Sequence, residues 1–202
     1  MADLPKIAVC YPSGDMVHAD FALALAGLCL SVHPLEVTVV NTKSSIVAEA
    51  RNIAVARAQE AGADYLLFLD SDMIFPQDAL HRLLIHQKDI VGAIYTKRVP
   101  PYDLLGTMLT GAEPPGADGL VEMERLPTGC LLIRMAVFAR MTKPYFHFAV
   151  DLEQGTLLGE DYVFCDRARI AGYRLWGDFS LSQELGHIGQ TICRLPTADV
   201  EP

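Results

Sequence analysis

Apolar residues alternate along the chain between short runs and longer stretches of helical spacing. Lys6-Ile-Ala-Val-Cys10 is a short apolar run that stops at Tyr11-Pro-Ser-Gly14, which predicts a buried first strand and its loop. Ala19 to Leu30 is Ala/Leu-rich and predicts a helix, and the β-branched segment Leu35 to Val40 a second strand. Ser44 or Ser45 can cap a helix that runs to Ala61, with Gly62 as its stop. Ile46, Ala50, Ile53, Ala54 and Ala58 share one apolar face of that helix. Tyr65 to Leu69 predicts a third strand. Pro76 opens a helix with Leu80, Leu83 and Leu84 facing inward, and Asp89 to Tyr95 follows as a fourth strand. The order βαβαβαβ calls for an α/β fold with a mostly parallel sheet and helices on both faces.

After Lys97 the regularity breaks. Pro100, Pro101, Pro114, Pro115 and several glycines precede Gly119, so this segment is expected to be a long loop of the kind that often binds ligands. Leu120 to Arg125 and Leu131 to Ile133 read as strands flanking the Pro127-Thr128-Gly129 turn. Met135 to Met141 predicts a short helix, Tyr145 to Val150 a strand, Gly159 to Ala171 an amphipathic helix and Tyr173 to Trp176 a last strand before a polar tail. With no internal repeat and no second hydrophobic core, the expectation is one domain over residues 1–202.

A chain of 202 residues suits one domain with a full core. Its 51% hydrophobic and 20% charged residues fit an ordinary globular protein. The net charge of −9 argues against a general binder of nucleic acid or anionic membrane, since both need a basic surface. It leaves a nucleotide open, because a divalent cation can supply positive charge locally. The five cysteines (Cys10, Cys29, Cys130, Cys165 and Cys193) are scattered without a CxxC pair, which suggests reduced thiols in the cytoplasm. No basic and then apolar leader opens the sequence, and Phe21 to Leu30 is too short to span a bilayer, so no integral membrane segment is expected.

The chemistry concentrates in a few places. Asp70, Ser71 and Asp72 follow directly on a buried strand, where open α/β sheets gather their ligands. Two carboxylates one residue apart can hold Mg²⁺ or Mn²⁺ together with phosphate; the competing reading is a helix cap before Pro76. Arg51 offers a fork suited to phosphate oxygens, or a pair for Glu49 or Glu60, and Asn52 stands beside it. Glu160 and Asp161 open the later helix, where acidic residues suit the helix dipole and where a carboxylate can also serve as general base. His187, between Gly186 and Gly189, is either a core histidine or an imidazole ligand for a cation. Gly129 fits a hairpin turn. Lys97, Arg98 and Tyr102 offer substrate contacts or a solvated basic pair, and Trp176 reads as packing.

Leu66-Leu-Phe-Leu-Asp70-Ser-Asp72, preceded by Glu49-Ala-Arg51-Asn52 and followed by Glu160-Asp161 and His187, resembles a GT-A glycosyltransferase of the family 2 type over roughly Lys6 to Ile188. The resemblance implies a nucleotide-diphospho-sugar transferase fold, a Rossmann-like sandwich. Its nucleotide-binding half would cover about 1–96 and its acceptor or catalytic half about 97–190. It implies Mn²⁺ or Mg²⁺ held by Asp72 and His187, with Asp70 as ribose or metal contact, and a UDP- or GDP-sugar donor. Tyr11, Pro12, Arg51, Asn52, Ser71 and Gly129 would line the donor. Asp161 would be the base toward a hydroxyl acceptor in an inverting reaction, with a retaining one left open, and Glu160 would orient the acceptor or the base. Two other functions remain open: a sugar-phosphate nucleotidyltransferase, although no glycine-rich, lysine-bearing phosphate loop follows the first strand, and an inactive sugar-nucleotide-binding module.

Overall fold

The computed structural model describes residues 4–153 and 155–189 and the backbone of 192–193. The polar tail beyond these residues, and the side chain of Cys193, lie outside the description.

The first half runs β1 (Lys6–Pro12), α1 (Ala19–Ser31), β2 (Glu36–Thr42), α2 (Val47–Glu60), β3 (Tyr65–Leu69), β4 (Met73–Ile74), α3 (Ala79–Ile85), β5 (Ile90–Gly92) and β6 (Tyr95–Thr96). The second half runs β7 (Leu104–Leu105), β8 (Thr107–Met108), β9 (Leu120–Arg125), β10 (Cys130–Arg134), α4 (Ala136–Ala139), β11 (Ala149–Asp151), β12 (Thr156–Leu158) and α5 (Glu160–Ile170). It closes with β13 (Leu175–Asp178), α6 (Phe179–Ser182), β14 (Gly186–Ile188) and β15 (Ile192–Cys193).

An eight-stranded sheet in the order β2-β1-β3-β10-β5-β13-β9-β8 spans both halves. Only β9 and β10 run against the other strands, so the sheet is mostly parallel in direction. Successive strand residues face opposite sides. Ala8, Cys10, Leu66 and Phe68 join one buried cluster with Ala54 of α2 and Phe164 of α5. Ile7, Val9, Leu67 and Leu69 join the other, with Phe21 of α1 and Leu80 of α3. Both faces are covered, which is why Leu66 to Leu69 is uninterruptedly apolar.

Around α2 the glycine stop holds, but the expected serine cap does not: Ile46 is the N-cap, with no side chain capping the helix. Ser44 Oγ accepts from the Ile46 N–H at 3.0 Å and donates to Glu49 at 2.6 Å, and Gly62 follows the helix at φ +65°. Ala50, Ala54 and Ala58 are buried against the sheet, but Ile46 is 53% exposed and Ile53 only half-buried.

Four expected elements differ. The strand expected over Asp89 to Tyr95 breaks after Gly92, where a β-carbon would come within 2.7 Å of the Cys130 carbonyl. The Ile94 N–H goes to Ser182 Oγ at 2.9 Å, which turns the chain out of the sheet and starts β6. The strand expected over Tyr145 to Val150 begins only at Ala149, because the Asn52 amide takes the backbone groups of Tyr145 and Phe146. The helix after Pro76 starts at Ala79. Past Trp176 the chain is no polar tail: α6 and β14 follow, with Leu181, Leu185 and Ile188 buried.

Candidate functional site

The carboxyl end of β3 delivers Asp70 into a turn whose Met73 N–H returns to the Asp70 carbonyl at 3.0 Å. The chain then enters β4, which pairs antiparallel with β14 in a separate three-stranded sheet. That pairing sets Met73 opposite His187, and the Ile188 N–H donates to the Asp72 carbonyl at 2.7 Å. A backbone ladder thus holds Asp72 and His187 side by side, although 115 positions separate them in sequence.

Asp72 Oδ2 lies 3.6 Å from His187 Nε2. His187 is buried, its ring edge-on to Tyr95 at 5.0 Å, and its Nδ1 lies 2.7 Å from the Thr96 carbonyl. A carbonyl only accepts, so Nδ1 carries the proton and Nε2 is left toward Asp72. Arg98 Nη1 donates to the same Asp72 Oδ2 at 2.7 Å. Burial opposes ionisation of Asp72, but His187 and Arg98 outweigh it and hold the carboxyl below its usual value.

Arg51 projects from the sheet-facing side of α2 and is 3% exposed. Its Nη2 donates to Asp70 Oδ1 and its Nε to Glu160 Oε1, each at 2.9 Å, while the guanidinium lies 5.4 Å from the Phe68 ring centre. Burial opposes its charge, yet the two carboxylates more than compensate and raise its pKa. The guanidinium is therefore a strut that joins the end of β3 to the start of α5. Its Nη1 is buried without a partner among the described residues.

Asp161 is the next residue on α5 and half-buried. Its Oδ1 accepts from the Tyr162 N–H at 2.8 Å. Gly159 makes room for this carboxylate, since a β-carbon there would lie 2.7 Å from Oδ1. Burial, reinforced by Glu160, pushes the Asp161 pKa up to about 6, against the smaller pull of the Tyr162 N–H and Arg51. Asp70, Glu160, Asp161 and Arg51 thus form one group, with Asp72 and His187 beside it along the turn after β3.

Gly129 donates its N–H to Tyr95 Oη at 2.9 Å and its carbonyl accepts from the Asp70 N–H at 3.1 Å. A β-carbon on Gly129 would collide with the Tyr95 phenol. Ser71 sits half-buried in the turn between the two aspartates. Tyr11 and Pro12 lie within β1 rather than in a loop, and the Tyr11 ring packs on Phe21 at 5.4 Å. Both ends of the Asn52 amide are engaged by the backbone, with Ala48 and Phe146 accepting and Tyr145 and Phe146 donating. Asn52 also lines a cleft of about 690 Å³ with Ile46, Ile53 and Phe148, which includes none of the clustered carboxylates.

Sequence reasoning missed Tyr95, Thr96 and Tyr162. Tyr95 read as the end of a strand, and its buried phenol, pushed well above its usual pKa by burial and then by Asp70, carried no motif. Tyr162 Oη accepts from the Gly106 N–H at 3.0 Å and so ties the expected loop to the helix of Asp161. Apart from Arg134 Nε, the buried side-chain polar atoms without partners among the described residues are Arg51 Nη1 and the hydroxyls of Thr42, Thr96 and Thr128. Thr42 ends β2 of the central sheet, Thr96 ends β6 of the separate β6–β7 pair, and Thr128 precedes Gly129. Native proteins pair nearly all such atoms, so Arg51 Nη1, on the guanidinium that holds Asp70, is a polar group a ligand could satisfy.

No protein-family profile and no curated protein matches the sequence. Among solved structures, A197 from STIV superposes with a TM-score of 0.61 at 16% identity, over 98% of this chain and 97% of that one. The two share a fold. TarS 1-349 from S. aureus gives a TM-score of 0.48 at 18% identity, over 81% of this chain and 55% of its own. The mannose-1-phosphate geranyltransferase from Thermus thermophilus gives 0.49 at 14% identity, over 70% of this chain and 61% of its own. The chain adopts the expected class, an α/β fold on a mostly parallel central sheet.

Proposed function

We propose that the chain is a metal-dependent glycosyltransferase that moves a sugar from a nucleoside-diphosphate donor to a hydroxyl acceptor. The observation that carries this reading is the buried Arg51 strut. It brings the carboxylate pair after β3 and the acidic pair of α5, 90 positions apart, into one site.

The donor set suits Mn²⁺ or Mg²⁺. Asp72 offers a carboxylate oxygen kept ionised, and His187 offers Nε2 with its other nitrogen fixed on a carbonyl, the usual support for a ligating imidazole. The Arg98 guanidinium already stands on Asp72 as a cation in place. Among the described residues no third carboxylate, cysteine or histidine completes a closed metal cage, which fits an ion that keeps positions for phosphate and water. When bound, the ion would neutralise charge developing on the departing diphosphate.

The remaining work falls to the protein. Asp161, with a pKa near 6, is ionised at neutral pH yet basic enough to take the proton of an acceptor hydroxyl. Glu160 holds Arg51 and, through it, Asp70 in a fixed place, so that Asp70 faces the donor. Gly129 lets the turn close on the Tyr95 hydroxyl, where a β-carbon would collide, and its carbonyl fixes the Asp70 N–H at the end of β3. The expected acceptor proton transfer on one face, with the diphosphate leaving from the other, corresponds to inversion.

The test is release of UDP or GDP from a panel of their sugar conjugates, with Mn²⁺ and with a chelator. Wild type should turn over a donor only with the cation; Asp72→Ala should lose turnover while keeping its circular dichroism, and Asp161→Asn should lose transfer. Undiminished turnover in Asp72→Ala would overturn the reading.

A further inference from the structure

Asp72 Oδ2, the oxygen that faces His187 Nε2, also holds Arg98 Nη1 at 2.7 Å. A cation on Asp72 and His187 and a guanidinium hydrogen bond compete for that one atom, and two positive charges so close repel. The backbone that carries Arg98 is braced, while its side chain is half-exposed and held at its tip by Asp72 alone among the described contacts. A β-carbon on Gly189 would lie 3.1 Å from the Arg98 β-carbon, so the two chains run close together there. The turn carrying Arg98 is braced by Lys97 N–H to the Asp103 carbonyl at 2.8 Å, Tyr102 N–H to the Val99 carbonyl at 3.0 Å and a Lys97–Asp103 ion pair at 3.0 Å. The Arg98 side chain itself is 52% exposed.

We propose that Arg98 is a ligand of the donor diphosphate that rests on Asp72 when the site is empty, leaves it when the cation binds, and then donates to phosphate oxygens. This rests on the cation and nucleotide reading above. A guanidinium released from a carboxylate, on a braced turn, is left with a planar fork of N–H donors beside the place where the diphosphate would lie. Charge stays matched throughout: Asp72 exchanges one cation for another, and the phosphates receive the one it gave up.

The test measures two affinities in wild type, Arg98→Ala and Arg98→Lys. Mn²⁺ alone is titrated by electron paramagnetic resonance, and UDP and GDP are then titrated in turn at saturating Mn²⁺ by calorimetry. Arg98→Ala should bind Mn²⁺ about two- to fivefold more tightly, as expected for losing a half-exposed ion pair. It should bind the responding nucleotide roughly tenfold more weakly, as expected for losing a charged hydrogen bond. Arg98→Lys should fall between, and the melting temperature should hold. A damaged fold would weaken both affinities, so opposite signs identify the exchange. If wild type binds Mn²⁺ and nucleotide and Arg98→Ala matches it in either affinity, the Arg98 assignment is overturned alone. If wild type binds no Mn²⁺, the cation reading falls and takes this one with it.

Discussion

At the scale of single residues, Asp161 and Arg51 make opposite predictions about stability. The pKa of Asp161 is raised in the folded chain to about 6, from an ordinary 3.8. The folded state therefore holds its proton more tightly than the unfolded state, and stability falls as pH rises through that window. Asp161→Asn should accordingly stabilise the protein at pH 7 relative to wild type, and by much less at pH 4, as read from urea unfolding at the two values. The same ionisation should give the acidic limb of kcat/KM an apparent pKa near 6, because the base works only deprotonated. Arg51 behaves otherwise. Its removal in Arg51→Met leaves two carboxylates beside one another without their shared cation, at a cost of about 3–5 kcal/mol. Chemical denaturation that shows a loss below about 1 kcal/mol would mean the strut is not the structural link described. Arg51 itself was legible in the sequence only as a basic residue near the right strand. That it joins two carboxylates depends on Glu160, whose approach is a tertiary fact.

At the scale of elements, the β6–β7 hairpin is the hub of the site. Tyr95 receives the Gly129 N–H, the Thr96 carbonyl fixes His187, Arg98 reaches Asp72, and Gly106, just past β7, is held by Tyr162. Gly129→Ala should push against the Tyr95 hydroxyl and destabilise by about 1–3 kcal/mol. Adding Tyr95→Phe should recover part of that loss, because it removes the atom the new methyl meets first. A double-mutant cycle by thermal unfolding reads the coupling, and strict additivity would contradict the contact. This hairpin was the least legible part of the sequence. Prolines and glycines from Pro100 to Gly119 announced only a loop, and strands of two residues leave no periodicity to detect. By contrast β3, α2 and α5 were readable, because a buried strand, an alanine-lined face with a glycine stop and an acidic first turn each leave a local mark.

At the scale of the molecule, the sheet draws β1, β2, β3 and β5 from the first half and β8, β9, β10 and β13 from the second. Parallel order in the first half followed from the alternation of elements. The insertion of β10 between β3 and β5 did not, since nothing local in Cys130–Arg134 names its neighbours. That insertion carries Gly129 to Asp70, and the later pairing of β14 with β4 carries His187 to Asp72. The sequence showed which residues were chemically capable, and the topology decided which of them meet. No helix among the described residues is long and apolar enough to cross a membrane, so the strand-end site is not built on a membrane-spanning helix.

The central claim is that Asp72 and His187 hold a divalent cation that in turn holds a nucleotide diphosphate. A ligand that binds only the folded state raises the melting temperature. Thermal unfolding of wild type and Asp72→Ala with UDP- and GDP-sugars, each with and without Mn²⁺, tests the claim most directly. The account predicts a rise in wild type only when one donor and Mn²⁺ are present together, and none in Asp72→Ala. A rise of equal size without Mn²⁺ or in Asp72→Ala, or no rise with any donor, would contradict it.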